Sequence, residues 1–340
     1  MLRNRSLTIG RCTILLILCS ISLTLRAEDK LSLRIMSYNV ENLFDTAPDS
    51  LHADDEFLPD GAYHWTYSRY RTKLSHIAQV ISAVGEWQAP ALVGLLEVEN
   101  DSCLHDLLRW HLPRRFYPYR SILMEGPDER GIDPALLYDS TRLRLLCKEA
   151  IPVRFSDSDQ HTRDILHAEF CLTTEYAGIE DSQEGAADTL HVFLCHFPSQ
   201  RGGAAESETR RSVARATLLS SVSAILERDS AALILVMGDF NSTPADNMHP
   251  LINLMLPWNG SDAGSHKFQG RWTCLDQFCV SSALLPRLSK PTIFSPDWLL
   301  EDDEKYLGKK PKRTYVGPRY MGGYSDHLPI VIDMEGKREP

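Results

Sequence analysis

A carboxylate and an amide follow directly on a short, wholly apolar stretch of the chain. Residues 233–237 contain no polar side chain, as is typical of a fully buried strand, and Asp239 and Asn241 come just after them. In an extended chain these two side chains point the same way, because side chains alternate with period two. The carboxylate can act as a base or a metal ligand, and the amide can hold a phosphoryl oxygen. An Asx turn that closes a core strand explains the segment equally well on its own.

The same order, an apolar run and then a polar residue of catalytic type, recurs at other predicted strand ends. The residues concerned are Asn39, Glu97, His196, Asp239 with Asn241, and Asp326 with His327. Ordinary turn chemistry explains any one of these positions. Five such strand ends in one chain instead indicate a common site, so we interpret the set as catalytic.

These residue types suit metal-assisted chemistry on a phosphate. Glu97 and Asp326 offer hard oxygen ligands of the kind that bind Mg²⁺, Mn²⁺ or Ca²⁺, and few protein ligands suffice because Mg²⁺ keeps its waters. A histidine beside a carboxylate can be oriented and charged, as a group facing a phosphate must be. Arg201 precedes two glycines, whose tight turn would bring its guanidinium near the His196 loop, where it would fit a phosphate. A solvated loop charge is an equal alternative for Arg201.

Strands that alternate with a few helices must position these residues. Apolar patterns predict strands at 33–40, 91–96, 119–123, 135–138, 165–172, 190–195, 233–237, 272–280 and 330–332, and helices at 70–85, 101–110 and 204–228. Asp101 is the expected N-cap of the second helix, and residues 302–313 are an expected charged loop. No repeat or linker divides the chain. Many strands with few long helices favour one α/β domain in which two sheets pack face to face with helices outside.

The N-terminus has the order of a secretory signal peptide. Arg3, Arg5 and Arg11 precede an uncharged apolar run at 12–25, and the small residue Ala27 follows. We therefore expect residues 1–27 to be removed, residues 28–340 to form a single domain, and the mature monomer to be secreted or periplasmic. An uncleaved membrane anchor is the alternative, and a lipoprotein anchor is disfavoured because the residues before Cys19 match that signal weakly.

The mature chain would be acidic. Removal of residues 1–27 takes away four Arg and no acidic residue, which leaves 32 basic against 46 acidic side chains, a net charge of −14. Such a surface repels polyanions at long range, which argues against a tight non-specific nucleic-acid binder but not against a nuclease with a local basic cleft. Six cysteines would enter an oxidising compartment, and their pairing does not follow from the sequence. Cys274 and Cys279 lie on one predicted strand, about 16 Å apart when extended, so they should not bridge each other.

Six segments together resemble the endonuclease/exonuclease/phosphatase family. They are SYNVENLFD at 37–45, LEVEN at 96–100, GIDPALLY at 131–138, HFPS at 196–199, GDFNS at 238–242 and GYSDHLP at 323–329. The resemblance spans residues 33–332 and implies a four-layer α/β/β/α sandwich like that of pancreatic-type deoxyribonuclease. The family also includes abasic-site endonucleases, neutral sphingomyelinases and inositol-polyphosphate 5-phosphatases. The resemblance therefore implies a metal-dependent phosphoester hydrolase, with Mg²⁺ as the expected ion and Mn²⁺ or Ca²⁺ as alternatives.

For each matched motif, the resemblance implies a role for its residues in the reaction centre. Glu97 would be the principal metal ligand, and Asn39 and Asp326 would complete the site directly or through water. Asp239 would orient or deprotonate the attacking water. Asn241 would bind the phosphate and help to fix Asp239.

The remaining roles concern the phosphate and the substrate. His327 would contact the scissile phosphate and would be held by Asp276. His196 would be a second imidazole facing the phosphate. Arg130 and Tyr138 are the lesser candidates for substrate contact.

The substrate is open among nucleic acids, choline-type phospholipids and phosphomonoesters, because one reaction centre serves all three. Basic residues interleaved with aromatics favour nucleic acid. They are Lys309, Lys310, Lys312, Arg313, Tyr315, Arg319 and Tyr320. A solvated loop is the competing interpretation of these charges. No exposed apolar hairpin of the kind that lipid-cleaving relatives use stands out among the loops. A catalytically dead binding module should have lost at least one of the catalytic set, and none is missing.

Overall fold

The computed structural model describes residues 32–49, 53–156, 161–172, 188–199, 203–245 and 247–335. The described residues belong to one compact unit. The predicted signal peptide and Arg201 lie outside these ranges. Within them, no helix has the length and apolar character to cross a membrane.

The first of two six-stranded sheets gathers strands from both ends of the chain. Its strands are β1 (Ser32–Leu43), β2 (Leu92–Val98), β3 (Tyr119–Leu123), β4 (Asp133–Asp139), β13 (Thr292–Ile293) and β18 (Ile330–Glu335). Their spatial order is β13-β18-β1-β2-β4-β3. The central pair β1 and β2 is parallel, and the other pairs are antiparallel.

The second sheet is built from the middle of the chain. Its strands are β5 (Leu143–Ile151), β6 (Ile165–Leu172), β7 (Thr189–His196), β8 (Leu233–Asp239), β9 (Ile252–Asn253) and β12 (Asp276–Val280), in the spatial order β5-β6-β7-β8-β12-β9. Here too one central pair, β7 and β8, is parallel. Each sheet therefore places two parallel strands at its centre, with their carboxyl ends at the same edge.

Three α-helices of the described residues cover the outer faces. They are α1 (Tyr67–Gly85), α2 (Asp101–Trp110) and α3 (Ala204–Arg228). The N-cap of α2 is Asn100 and not Asp101, because the Asn100 side chain accepts a hydrogen bond from the backbone N–H of Cys103 at 3.1 Å. Asp101 is the first helical residue, where its charge favours the positive end of the helix dipole.

Three buried apolar layers confirm the predicted four-layer α/β/β/α sandwich. Between the sheets lie residues such as Leu96 and Met237, whereas Leu74 of α1 and Leu218 of α3 pack on the two outer faces. Each such fully buried side chain contributes about 1.5–3 kcal/mol. The two sheets pack tightly at Gly94, where an added Cβ would lie 2.6 Å from the side chain of Leu194.

Shorter elements complete the part of the chain that the structure describes, and several differ from the prediction. Three two-stranded ribbons pair β10 (His266–Phe268) with β11 (Arg271–Thr273), β14 (Leu300–Asp302) with β15 (Lys309–Pro311), and β16 (Tyr315–Val316) with β17 (Arg319–Tyr320). Four 3₁₀ helices cover Asp55–Phe57, Leu256–Trp258, Leu285–Arg287 and Asp297–Leu299.

The predicted strand 272–280 is two strands, β11 and β12. The chain breaks between them because the backbone N–H groups of Leu275 and Asp276 both donate to the Ser265 hydroxyl, each at 3.2 Å. Edge strand β5 was missed, since most of its residues are exposed and carry no apolar alternation. The charged loop 302–313 contains β15. All six cysteines outside the predicted signal peptide are unpaired thiols.

Candidate active site

The strand ends that carry the predicted residues meet at one end of the sandwich. In the β7–β8 register His196 lies opposite Asp239, and Asp276, the first residue of β12, lies opposite Asp239 on its other side. The loop before β18 reaches the same place, because the Ser325 hydroxyl donates to the Asn39 carbonyl oxygen at 2.7 Å. Both sheets therefore contribute residues to one candidate active site around Asp239, the centre.

Left-handed backbone conformations cluster at this centre. Glu41, Asn42, Glu97 and Asn241 have φ of 56°, 57°, 68° and 48°. Non-glycine residues rarely adopt such angles, and where they cluster the surrounding structure must hold them in place. The alternation expected to align Asn241 with Asp239 therefore stops before Asn241. Its side-chain amide instead donates to the Phe197 carbonyl oxygen at 3.0 Å.

Asp239 is fixed through both of its oxygens. Its Oδ1 accepts the backbone N–H of Asn241 at 2.8 Å, and its Oδ2 accepts the Asn39 amide at 3.2 Å. Gly238 before it has φ of 137°, and a Cβ there would lie 1.9 Å from the Cys195 carbonyl oxygen, so only glycine fits. Burial raises the pKa of Asp239 to about 6. The carboxylate is thus oriented and titrates just below neutral pH, as a general base should.

Two histidines flank Asp239, and their pKa values are shifted in opposite directions. His327 Nδ1 donates to Asp276 Oδ2 at 2.7 Å, and His327 Nε2 lies 3.8 Å from Asp239 Oδ2. Burial disfavours the charged ring, but the charges of Asp276 and Asp239 outweigh it and raise the pKa of His327 well above its usual value. His196 Nε2 also lies 3.8 Å from Asp239 Oδ2, yet burial and the charge of Arg163 lower its pKa well below the usual value.

Removal of the Asp276 charge should therefore narrow the pH range of activity. Because the carboxylate raises the pKa of His327, Asp276→Asn should lower that pKa and move the alkaline limb of the kcat/KM profile to lower pH. The acid limb, set by Asp239, should stay in place or move slightly to lower pH as one negative charge is lost. Profiles of both proteins, measured with one phosphodiester, test this. An unmoved alkaline limb would show that His327 does not act as an acid.

Glu97 faces the same space from the first sheet. Its Oε2 accepts the backbone N–H of Asn42 at 2.9 Å, and its Oε1 lies 3.4 Å from the Asn39 amide nitrogen and 3.8 Å from His196 Nε2. Asn39 thus bridges Glu97 and Asp239, while its side-chain oxygen accepts the N–H of Glu41 at 3.0 Å.

A partly buried charge network that the sequence did not reveal supports Asp326. Its Oδ2 accepts from Arg313 Nη2 at 2.8 Å, and Arg313 Nε lies 3.2 Å from Glu41 Oε1. Burial raises the pKa of Glu41 to about 7 and lowers that of Lys73 to about 8. The Lys73 ammonium donates to the Thr314 hydroxyl at 2.6 Å, so α1 is tied to the chain segment that carries Arg313.

His266 is a further residue of the centre, and no sequence pattern pointed to it. It forms a β-bridge with His327, and their rings lie 4.8 Å apart. Ligand atoms of His266, Asp326 and His327 lie within 4.8 Å of one another. A lone histidine in a short ribbon has no periodic signal that would mark it.

The oxygen donors fit a hard divalent cation. The side chains of Glu97 and Asp326 are 14% and 23% exposed, so solvent reaches both although hydrogen bonds anchor them. Carboxylates are the ligands that Mg²⁺ prefers, and the ion brings its own waters. Asn39 directs its amide nitrogen toward the carboxylates. It therefore suits a contact with the cation through a water molecule better than direct ligation.

The fold places the two lesser candidates for substrate contact, Arg130 and Tyr138, in different parts of the sandwich. Arg130 lines a surface cavity of about 380 Å³ together with Arg163 and Ser199, beside the His196 loop. Tyr138 lies at the opposite end of the sandwich, because it pairs with Leu92 at the start of β2, and its ring packs 5.1 Å from that of Phe170. The structure therefore does not bring Tyr138 to the centre.

The predicted basic loop is largely neutralised by its own acidic residues. Lys309 Nζ lies 2.8 Å from Asp302 Oδ1, and Lys310 Nζ lies 3.5 Å from Glu301 Oε1, across the β14–β15 ribbon. Arg313 belongs to the charge network around Asp326. The sequence showed the basic run but not the acidic strand that faces it.

An exposed apolar tip is present, contrary to the expectation that no loop carries one. Phe268 in the β10–β11 hairpin is 64% exposed, and Leu307 in the neighbouring turn is 78% exposed. Lys267 joins the two loops by donating to the Leu307 carbonyl oxygen at 2.9 Å. The base of this hairpin is His266, so the tip starts beside the centre. Each apolar residue is isolated in the sequence, and only folding places their two loops side by side.

The fold is a four-layer sandwich with carboxylates and histidines at the ends of its central strands. This combination is typical of the class of phosphoester hydrolases with a DNase I-like fold. The chain belongs to the endonuclease/exonuclease/phosphatase family, whose model matches residues 34–336. This confirms the resemblance seen in the sequence.

Solved structures share this fold at low sequence identity. The human Nocturnin catalytic domain is 16% identical with a TM-score of 0.53, covering 90% of this chain and 95% of that one. D. rerio TDP2 complexed with single-strand DNA product is 15% identical with a TM-score of 0.54, covering 89% and 98%. A family protein from Bacteroides thetaiotaomicron is 14% identical with a TM-score of 0.52, covering 91% and 99%. Comparison with curated protein sequences found no match.

Proposed function

We propose that the protein is a secreted, divalent-metal-dependent phosphodiesterase that acts on nucleic acid. The observation that carries the proposal is the arrangement around Asp239. A carboxylate with a pKa of about 6 lies 3.8 Å from an imidazole that Asp276 keeps charged. Such a pair can take a proton from water on one side and hold a phosphate oxygen on the other.

Each residue then has a distinct task. Asp239, held by Asn39 and the Asn241 N–H, orients the attacking water and accepts its proton. His327 donates from Nε2 to a non-bridging phosphate oxygen, and neutral His196 faces the same phosphate. Glu97 and Asp326 would hold the cation, which when bound polarises the phosphate and stabilises the leaving oxygen.

A panel of purified-protein assays tests this function. The mature chain is incubated with Mg²⁺ and plasmid DNA, RNA, sphingomyelin vesicles or a chromogenic phosphodiester. We expect turnover of DNA or RNA that Asp239→Asn lacks. Absence of any phosphodiester turnover that depends on Asp239 would overturn the proposal.

Nucleic acid is favoured by a ribbon that leads into the centre. Arg319 of β17 is exposed, and Arg69 stacks over the neighbouring Tyr320 ring at 4.4 Å. Cations and aromatic rings in alternation bind phosphates and bases of a single strand. The similar fold of a protein complexed with single-strand DNA product supports this choice.

Binding of a DNA oligonucleotide should therefore depend on salt through this ribbon. Arg319→Gln should reduce the slope of log affinity against log salt by about one, as loss of one phosphate contact does. Lys309→Gln is the matched control, because Lys309 already pairs with Asp302 and should leave the slope unchanged. Equal slopes for both variants and the wild type would refute a nucleic-acid role for the ribbon.

A phospholipid is the second candidate substrate, supported by the exposed tip of Phe268 and Leu307 beside His266. Exposed apolar side chains next to a reaction centre are a means of contacting a lipid surface. In the same panel, turnover of sphingomyelin far above that of DNA and RNA would select this alternative and leave the roles around Asp239 intact.

Secretion has its own test. Because the basic, apolar and small residues occur in the order of a signal peptide, the mature protein should begin near Glu28 and leave the cytoplasm. N-terminal sequencing of the protein from its native host checks this. A cytoplasmic protein that still begins at Met1 would contradict it.

A further inference from the structure

A cluster of metal-ligand side chains lies on the outer face of the second sheet, away from the centre described above. His167 and Glu169 of β6 point the same way because they are two positions apart, and His191 of β7 is the cross-strand partner of Glu169. Their ligand atoms all lie within 4.8 Å of one another. His191 and His196 are an odd number of positions apart on β7, so they point to opposite faces of the sheet.

The distances within the cluster match tetrahedral coordination. His167 Nε2 lies 3.3 Å from His191 Nδ1, and His191 Nδ1 lies 3.7 Å from Glu169 Oε1. In a tetrahedral zinc site with metal–nitrogen bonds of about 2.0–2.1 Å, neighbouring ligand atoms are roughly 3.3–3.4 Å apart. The two imidazoles therefore need almost no movement, and the partly exposed Glu169 needs little.

Glu149 orients the first ligand. Its Oε1 lies 2.8 Å from His167 Nδ1, and it is the cross-strand partner of His167 on β5. A carboxylate can only accept there, so Nδ1 carries the proton and Nε2 presents its lone pair toward His191. A carboxylate behind a ligating histidine is the usual support of a protein zinc site. Stacking on Phe193, with ring centroids 4.2 Å apart, further fixes the His167 ring.

We propose that His167, Glu169 and His191 bind a zinc ion in a second, structural metal site with one coordination position open to solvent. Zn²⁺ takes imidazole and carboxylate ligands readily, whereas Mg²⁺ prefers oxygen ligands, so the two imidazoles favour zinc. The two carboxylates, Glu169 and Glu149, balance the charge of the ion. The site links β6 to β7 and, through Glu149, to β5, which is the edge strand of this sheet among the described residues.

Zinc stoichiometry tests the proposal. The purified mature chain is stripped with chelator, dialysed against Zn²⁺ in millimolar Mg²⁺, and analysed for bound zinc. We expect His191→Gln and Glu169→Gln each to bind one zinc per chain fewer than the wild type. His105→Gln, on the exposed face of α2, and His266→Gln, at the other centre, should both keep the zinc of this site.

Affinity and stability give independent readouts. Glu149→Gln, an exposed change outside the ligand set, should weaken zinc binding by about 10–100-fold. In millimolar Mg²⁺, Zn²⁺ should raise the Tm of the wild type and of His105→Gln by more than that of His191→Gln, because a ligand that binds the folded state stabilises it. Matching far-UV spectra without zinc would show that the variants fold. Equal zinc content in the wild type, His191→Gln and Glu169→Gln would overturn the proposal.

Discussion

Asp239→Asn should lower kcat by roughly 10² or more and leave the protein folded. Loss of a general base typically costs 10²–10⁴ in rate, and asparagine keeps the shape of the side chain without its basicity. The amide can still accept the Asn241 N–H through its oxygen, so the backbone at the end of β8 should not change.

Stability should change little with this substitution. Burial raises the pKa of Asp239 from 3.8 to about 6, so folding disfavours its ionised form. The stability that its protonated form contributes below pH 3.8 is lost as pH rises through 6. At pH 8 the neutral asparagine removes that cost, which offsets the loss of the hydrogen bond that Asp239 Oδ2 accepts from the Asn39 amide, so the Tm of the variant should stay close to that of the wild type.

Asp139→Asn is the matched control. Asp139 also ends a buried strand, but at the other end of the sandwich, where its Oδ2 lies 2.6 Å from Arg142 Nε. This variant should lose stability and keep its specific activity. If Asp239→Asn instead unfolds readily and keeps its specific activity, Asp239 only closes the strand, as the Asx-turn alternative holds.

The local pattern of apolar and polar residues was enough to predict most residues of the centre. An apolar run with a polar end identifies a buried strand and its terminus, and parallel strands in a two-sheet sandwich bring such termini together. Asn39, Glu97, His196, Asp239 and His327 lie together for this reason.

The site residues that were not predicted are placed by contacts between segments that are distant in sequence. Lys73 looks like an ordinary polar residue of α1, and only the docking of residues 314 and 324 against it shows that it is buried. Tyr138 was chosen from its motif, but its register on β4 carries it to the other end of the strand. A sequence specifies the residue types and spacing directly, whereas strand direction and pairing emerge only from the fold.

Two glutamates in one motif, Glu97 and Glu99, also differ in orientation in a way that the sequence alone does not show. This difference provides a matched pair of variants for a test of metal binding. Glu97 and Glu99 are two positions apart, so simple alternation would place them on one face. Glu97 has φ of 68° and faces the centre, whereas Glu99 Oε2 accepts the Asp45 N–H at 2.6 Å. Burial raises the pKa of Glu99 to about 8, so it is largely protonated at neutral pH and cannot serve as a charged ligand there.

Excess chelator should abolish the activity of the wild type, and Mg²⁺ or Mn²⁺ should restore it. Glu97→Gln should raise the Mg²⁺ concentration needed for half-maximal activity by roughly 10² or more, because loss of even an outer partner of a metal ligand costs 10–100-fold. Glu99→Gln is the matched control, since glutamine resembles the protonated acid, and it should keep the Mg²⁺ dependence of the wild type. Calorimetric titration with Mg²⁺ measures the same difference without turnover. Full turnover in chelator by a protein without tightly held metal would show that Glu97 is not a metal ligand.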